Sequence, residues 1–144
     1  MTVDIDLILA IVFGGLILVS LIILLHRKRP KKLRHDVFAE RWKDLQKLCK
    51  DKSSWPQAIT EADTLLDKAL KRRRYKGKSM GERMVSAQRV FSNNDAVWYA
   101  HNLSKKVKNE PELRLKESDV KGSLLGFRQA LRDLGALPGV ESKN

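Results

Sequence analysis

Cysteine is nearly absent from this chain of 144 residues, since Cys49 is the only one. An intramolecular disulfide is therefore excluded. Cys49 falls where the helix pattern calls for an apolar side chain, so we expect a reduced, buried thiol in a cytosolic domain, with a reactive thiol as the alternative. Histidine is scarce as well, with three scattered residues. No spacing typical of metal ligands is present, and we predict no metal ion and no other cofactor.

Signals for β-structure and for common enzyme sites are also missing. No segment alternates apolar and polar residues for long enough to be a strand. The glycines at Gly77 and Gly81 follow no strand and so do not form a nucleotide-binding loop. No serine lies in a nucleophile-elbow sequence, and His101 is the only histidine of the part expected to fold, so we interpret it as a partly buried residue with a hydrogen-bond partner. These absences predict a protein that is not an enzyme.

Charge is missing from residues 7–25, LILAIVFGGLILVSLIILL, of which 15 are Leu, Ile, Val or Phe. As a helix these residues would be ~28 Å long, close to the thickness of the hydrocarbon core of a bilayer. We predict a single transmembrane helix and weigh a buried core helix as the alternative. Within it, Ala10 and Gly14 are four residues apart, a spacing that would permit weak homo-association of such helices, although such a pair more often consists of small residues that face lipid.

The flanks of this run predict its orientation. Only Asp4 and Asp6 precede it, whereas HRKRPKKLR follows it. Because Lys and Arg are retained inside, we expect residues 1–6 outside, a span over residues 7–25, and a basic juxtamembrane linker over residues 26–35 on the cytoplasmic side of the plasma membrane. A cleaved signal peptide would carry its cations before the run, so a signal anchor is favoured. The six linker cations are candidate contacts to anionic lipid: Arg27, Lys28, Arg29, Lys31, Lys32 and Arg34.

Apolar residues at helical spacing predict a cytosolic all-α bundle of about five helices over residues 36–137, followed by a flexible tail over residues 138–144. We expect helix starts near Asp36, near Ser53 or Ser54, near Met80 with a Ser79 and Glu82 capping box, after residues 92–95, and near Glu117. The last helix should stop at Gly135. The predicted inner face of the fourth bundle helix is Ala96, Ala100, Leu103 and Val107.

The net charge is +12, and the residues after Arg34 still hold 23 basic and 15 acidic side chains. Such a balance favours anionic partners, either acidic lipid or nucleic acid, although clustered charges are often only a solvated surface. The candidate nucleic-acid contacts are Arg72, Arg73, Arg74, Lys76, Lys78, Lys105, Lys106 and Lys108.

Four segments carry a resemblance to a known group: WPQAITEADTLLDKAL, GKSMGERM, VWYAHNLSKKVKNEPELRL and GFRQALRDLGAL. In this order they resemble small membrane-anchored bacterial proteins whose cytosolic domain is similar to HEPN-like helical bundles. Active HEPN ribonucleases carry an Arg followed by a polar residue and then a His four to six residues after the Arg. The resemblance places Ser104 at the Arg position, Lys105 at the polar position and Asn109 at the His position.

This departure removes the chemistry that the resemblance would imply. RNA cleavage by such a pair needs a His for proton transfer and an Arg as a fixed charge on the phosphate, and Ser104 and Asn109 supply neither. We therefore expect a HEPN-like shape without nuclease activity. Two functions remain open: a membrane-tethered, non-catalytic interaction or scaffold module for a protein partner or lipid, and a membrane-tethered RNA-binding protein.

Overall fold

The computed structural model describes residues 4–27 and 32–139, and every regular element in those two ranges is a helix. This confirms the predicted all-α class. The chain divides into two compact units, residues 1–30 and 31–144. In chain order the elements are α1 (Ile5–Arg27), α2 (His35–Leu48), a 3₁₀ helix (Lys52–Ser54), α3 (Trp55–Arg72), α4 (Met80–Ala87), α5 (Asn94–Asn109) and α6 (Glu117–Asp133).

Helix α1 makes up the first unit. Within it, Ile5–His26 is long and apolar enough to cross a membrane, and none of its most apolar window is buried within the protein. A buried core helix, the alternative weighed from the sequence, does not fit a helix whose apolar side chains are all exposed. A side chain built at Gly14 would meet nothing within 4 Å. Of the linker cations, Lys28, Arg29 and Lys31 lie outside the described residues, as does the side chain of Arg27.

The second unit is a bundle built around α3, which packs against α2, α4, α5 and α6. Helix α3 carries an apolar stripe at helical spacing that is buried throughout. The stripe consists of Ala58, Ile59, Ala62, Leu65, Leu66, Ala69 and Leu70. Helix α6 contributes Phe127 and Leu131, both fully buried, and packs on α5. The close approach of α5 and α6 depends on Gly126, where an added Cβ would lie 2.7 Å from the carbonyl oxygen of Ala96.

The predicted ends of the helices are mostly confirmed. The Ser79 hydroxyl accepts from the Glu82 amide at 3.2 Å, as a capping box requires. The Glu82 carboxylate reaches back to the amide of Lys78 at 2.6 Å, one residue before the cap, so the box is a variant of the usual one. After α6, Gly135 has a φ of 75° and its amide donates to the Arg132 carbonyl at 2.8 Å. This left-handed glycine ends the helix as predicted.

The two ends of α3 lie where the sequence pattern predicts them, but their hydrogen bonding was not predicted. Neither serine before α3 caps it: Ser54 holds the cap position without a side-chain hydrogen bond, and the Asp51 carboxylate instead accepts from the Ser53 amide at 3.0 Å. The carboxylate does so because a 3₁₀ turn precedes α3. At the other end of α3, Arg74 adopts a φ of 61°, and the next amide, of Tyr75, donates to the Leu70 carbonyl at 3.1 Å. This ending is the one usually made by glycine, so Arg74 is strained there.

The inner face predicted for α5 was wrong by about one position. Ala100 is buried as expected, but the other residues buried on this helix are Val97, His101 and Ser104. Leu103 and Val107 are only partly buried, at the edge of the core. The helix is rotated toward its polar side because α3 offers a buried carboxylate, Asp63, that pairs with His101 and Ser104.

Candidate functional site

The most polar part of the bundle interior is centred on Asp63 of α3, whose exposed fraction is 3%. Its Oδ1 lies 2.8 Å from His101 Nδ1, and its Oδ2 accepts from Ser104 Oγ at 3.0 Å and from Lys108 Nζ at 3.2 Å. All three partners project from one face of α5, at spacings of three and four residues. We call these four residues the Asp63 cluster.

The geometry of the Asp63 cluster decides what it can do chemically. A carboxylate only accepts hydrogen bonds, so the His101 proton lies on Nδ1, and Nε2 has no hydrogen-bond partner among the described residues. The Ser104 hydroxyl is fully buried and donates to Asp63 rather than to His101. In a Ser-His-Asp triad the serine instead bonds to the histidine and faces a substrate. The cluster therefore joins α3 to α5 and leaves the serine without the role of a nucleophile.

His101 has the environment predicted from the sequence. It is 9% exposed, is paired with Asp63, and packs edge to face on Trp98 with ring centroids 6.0 Å apart. This confirms the interpretation of a partly buried histidine with a partner. Helical periodicity alone does not identify Asp63 as the partner, because most aspartate side chains in proteins are exposed.

A second ion pair, which is partly buried, joins α3 to α4. Arg83, 8% exposed, donates from Nε to Asp67 Oδ1 at 2.8 Å and from Nη1 to the Gly77 carbonyl at 2.9 Å, while Lys71 Nζ lies 2.7 Å from Asp67 Oδ2. Burial raises the pKa of Asp67, but the hydrogen bonds and charges of Lys71 and Arg83 outweigh burial and hold the pKa below its usual value. This pair fixes the loop between α3 and α4.

An open cleft of about 410 Å³ separates α2 from α6. We call it the α2–α6 cleft. It is mostly apolar, with charged side chains at its rim, and is lined by Trp42, Gln46, Cys49, Trp55, Glu117, Val120, Lys121, Leu124, Leu125 and Arg128. The wall from Glu117 to Arg128 runs for ~16 Å along α6. A cleft of this size and lining is typical of a binding surface.

Two side chains of the α2–α6 cleft differ in their hydrogen bonding. The Trp55 ring nitrogen donates to the Cys49 carbonyl at 3.0 Å. The Trp42 ring nitrogen is buried and has no partner among the described residues, although an indole N–H in the interior normally has one. Cys49 is half-buried, and burial raises the pKa of its thiol. A thiol that stays protonated at neutral pH fits the structural interpretation better than the reactive one.

The predicted basic residues do not converge on one surface. Arg72, Arg74, Lys76 and Lys78 are exposed at the C-terminal end of α3 and in the loop after it, and Arg73 is half-buried there. Lys108 instead binds Asp63. Asp63 lies nine residues before Arg72 on α3, so the two residues are ~14 Å apart along the helix axis. Lys105 and Lys106 are exposed on α5. The structure therefore separates the two groups proposed as nucleic-acid contacts.

The described linker residues also have defined positions. Arg34 precedes α2 and pairs with Asp36 at 2.9 Å, where both side chains are about two-thirds exposed. Lys32 is exposed. Of the two positions at which the resemblance placed the catalytic pair, Asn109 is exposed at the end of α5, whereas Ser104 is fully buried.

Three comparisons bear on identity. No family model, no curated protein and no solved structure matches this chain. The resemblance to HEPN-like bundles therefore stays a prediction. Among the described residues, no group of three His, Cys, Asp or Glu side chains is placed to hold a metal ion.

Proposed function

We propose that this chain is a single-pass protein of the plasma membrane whose helical domain lies in the cytoplasm and acts as a non-catalytic interaction module. The observation that carries the proposal is α1, an apolar helix whose apolar side chains are all exposed. In water such a surface would be strongly unfavourable, and a bilayer is the solvent that removes the cost. Asp4 before α1, Asp6 in its first turn and the cations that follow the apolar run support the orientation with the N-terminus outside.

The α2–α6 cleft supports an interaction role for the domain. Leu125 is 55% exposed at its edge, beside the buried ring of Trp42 and the partly buried ring of Trp55. Aromatic side chains beside exposed aliphatic ones are typical of the centre of protein interfaces. The length of the cleft suits a helical segment with an apolar face, and Lys121 and Arg128 on the rim favour acidic residues in that segment.

The Asp63 cluster supports a non-catalytic role. Its carboxylate already has three donors, and its serine is fully enclosed, so neither group is free to attack a substrate. Where the resemblance would place a catalytic Arg, Ser104 serves α3–α5 packing instead. We therefore propose a HEPN-like shape without nuclease activity.

RNA binding is the second candidate, favoured by the exposed cations that follow one another at the end of α3 and in the next loop. If these residues bind phosphates, affinity for RNA should fall steeply with salt. A gel-shift titration of the full chain in non-ionic detergent with a hairpin RNA, repeated at rising salt, tests this candidate. No shift at low salt would remove it.

The interaction module is tested by a photo-crosslinking residue placed at Leu125 and, as the matched control, at Val85 of α4, which is 52% exposed and lies outside the α2–α6 cleft. In cells producing the full chain we expect a discrete adduct from position 125 and none from position 85. A second version carrying Leu124→Asp should lose the adduct, because a charge in the cleft opposes an apolar partner. Equal labelling at both positions, or none at either, would contradict the proposal.

A further inference from the structure

Four cations surround a second hollow, between α2 and α3. This α2–α3 pocket has a volume of about 440 Å³. Apolar side chains form part of its lining and cations form the rest: Val37, Phe38, Leu65, Arg41, Lys68, Lys71 and Arg72. No acidic side chain lines it.

Three of these cations have no ion-pair partner among the described residues. Arg41, Lys68 and Arg72 make no ion pair with any described residue, whereas Lys71 is held by Asp67 at 2.7 Å. Asp67 is itself shared with Arg83, so it has no charge left for the pocket. Like charges gathered around one hollow repel one another, and an anionic ligand would relieve that repulsion.

The excess positive charge is greatest at one end of the groove. The adjoining hollow shares Arg41 and Lys68 but also contains Asp44 and Glu61, and Asp44 pairs with Lys47 at 2.9 Å. The end lined by Val37 and Arg72 has no such acids. It lies at the first turn of α2, where the helix dipole is also positive.

We propose that the α2–α3 pocket binds the phosphate of an anionic membrane lipid, with the glycerol and upper acyl carbons on its apolar residues. Two observations favour a lipid as the source of the phosphate. The pocket combines cations with an apolar side on which Val37 is only partly buried, and a free phosphate would not use such a surface. In addition, the seven residues between α1 and α2 span at most ~25 Å, so the start of α2 stays within reach of the lipid surface in which α1 is proposed to lie. The inference rests on the proposed membrane tether.

Nucleic acid fits the same pocket less well. Single-stranded RNA is held by exposed aromatic rings on which its bases stack, in addition to cations. The one aromatic residue of the pocket, Phe38, is 3% exposed and is part of the core. Phosphate contacts alone are therefore available, and these suit a headgroup.

The test uses the purified full chain in a non-ionic detergent, titrated with phosphatidylglycerol or phosphatidylcholine, with bound lipid counted by native mass spectrometry. The pocket variant is Arg41→Gln, Lys68→Gln and Arg72→Gln. The matched control is Lys43→Gln, Lys105→Gln and Lys106→Gln, which removes the same charge from exposed positions outside the pocket. All six residues are exposed, so both variants should keep the wild-type melting temperature. A single variant, Arg72→Gln, provides a milder version.

We expect wild-type protein to bind phosphatidylglycerol in preference to phosphatidylcholine. Since a cation near an anionic headgroup contributes about fivefold in affinity, the pocket variant should bind phosphatidylglycerol on the order of a hundredfold more weakly, and Arg72→Gln about fivefold. The control should stay within about threefold of wild type, because the linker cations are unchanged.

Other outcomes would overturn the inference. Equal losses in the pocket and control variants, or no preference between the two lipids, would show that the pocket is only a solvated surface. Inorganic phosphate bound as tightly as phosphatidylglycerol would identify free phosphate as the ligand. Loss of hairpin RNA binding in the pocket variant, with lipid binding unchanged, would assign the site to nucleic acid. Failure of the membrane tether is seen separately, as loss of the chain from alkali-washed membranes.

Discussion

Replacing Asp63 by alanine should cost the helical domain ~2 to 5 kcal/mol of its free energy of unfolding. The substitution leaves His101 and Ser104 without their acceptor, and both are at least nine-tenths buried. A buried donor without a partner costs ~1 to 3 kcal/mol. Lys108, whose side chain is 50% exposed, can turn to water and should add little. A domain of this size has only ~5 to 15 kcal/mol in total, so the loss should be plain.

A double-mutant cycle separates this mechanism from general damage to the core. Ser104→Ala in the wild type removes one hydrogen bond and leaves Asp63 with two donors, at a cost of about 1 kcal/mol. In the Asp63→Ala background the same change removes an unsatisfied hydroxyl and should be neutral or stabilising. We therefore expect a coupling energy of ~1 to 2 kcal/mol between the two positions.

Tryptophan fluorescence of the full chain in detergent, followed through urea unfolding, measures these values. All three tryptophans lie after residue 40, so the signal reports the helical domain and not α1. Lys108→Gln is the control, and we expect it to change stability by less than ~1 kcal/mol. The reasoning would be refuted by an Asp63→Ala cost below about 1 kcal/mol, or by the same Ser104→Ala cost in both backgrounds.

Three further changes test the packing and electrostatics. Gly126→Ala should destabilise the helical domain by ~1 to 3 kcal/mol, because the added Cβ would clash with the backbone of α5. Gly122→Ala on the same helix meets nothing within 4 Å and should stabilise the domain by ~0.5 to 1 kcal/mol. Thermal melts measure both changes. Arg74→Gly should raise stability by ~1 kcal/mol, because glycine adopts a positive φ without strain, and Gly135→Ala should lower stability by a similar amount. Shifts of the melting temperature with the same sign in both variants would contradict the left-handed ends assigned to α3 and α6. Asp67→Asn should lower the stability of the domain by ~1 to 3 kcal/mol at neutral pH. Because the pKa of Asp67 is depressed in the folded protein, the difference in stability from wild type should vanish as the pH falls from about 5 to 2. A difference that does not change with pH would refute the ion pair.

The parts of the fold that could be predicted are those in which a local pattern and the tertiary structure agree. The apolar residues of α3 recur at intervals of three and four residues, so the buried face of this helix could be predicted directly from the sequence. The Ser79 and Glu82 capping box and the Gly135 stop are local signals whose partners lie within a few residues.

The candidate site was harder to predict because its contacts are distant in sequence. Asp63 and Ser104 are 41 residues apart, and nothing in either segment identifies the other. The signal that was available was Asp63 itself, an acidic residue at a buried position of the α3 stripe, which implies a buried partner. The same pairing explains the error on α5, where polar His101 and Ser104 face inward and apolar Leu103 lies at the edge. The two clefts beside α2 depend on how three helices pack, which periodicity does not specify.

The most direct test of the membrane-tethered module is protease accessibility of the full chain carrying a C-terminal epitope, compared between intact spheroplasts and inside-out vesicles after alkaline washing. We expect the epitope to remain in the washed membranes, to survive protease added to spheroplasts, and to be lost from inside-out vesicles. Release of the chain by the alkaline wash, or digestion of the epitope in intact spheroplasts, would contradict a cytoplasmic bundle held at the bilayer by α1.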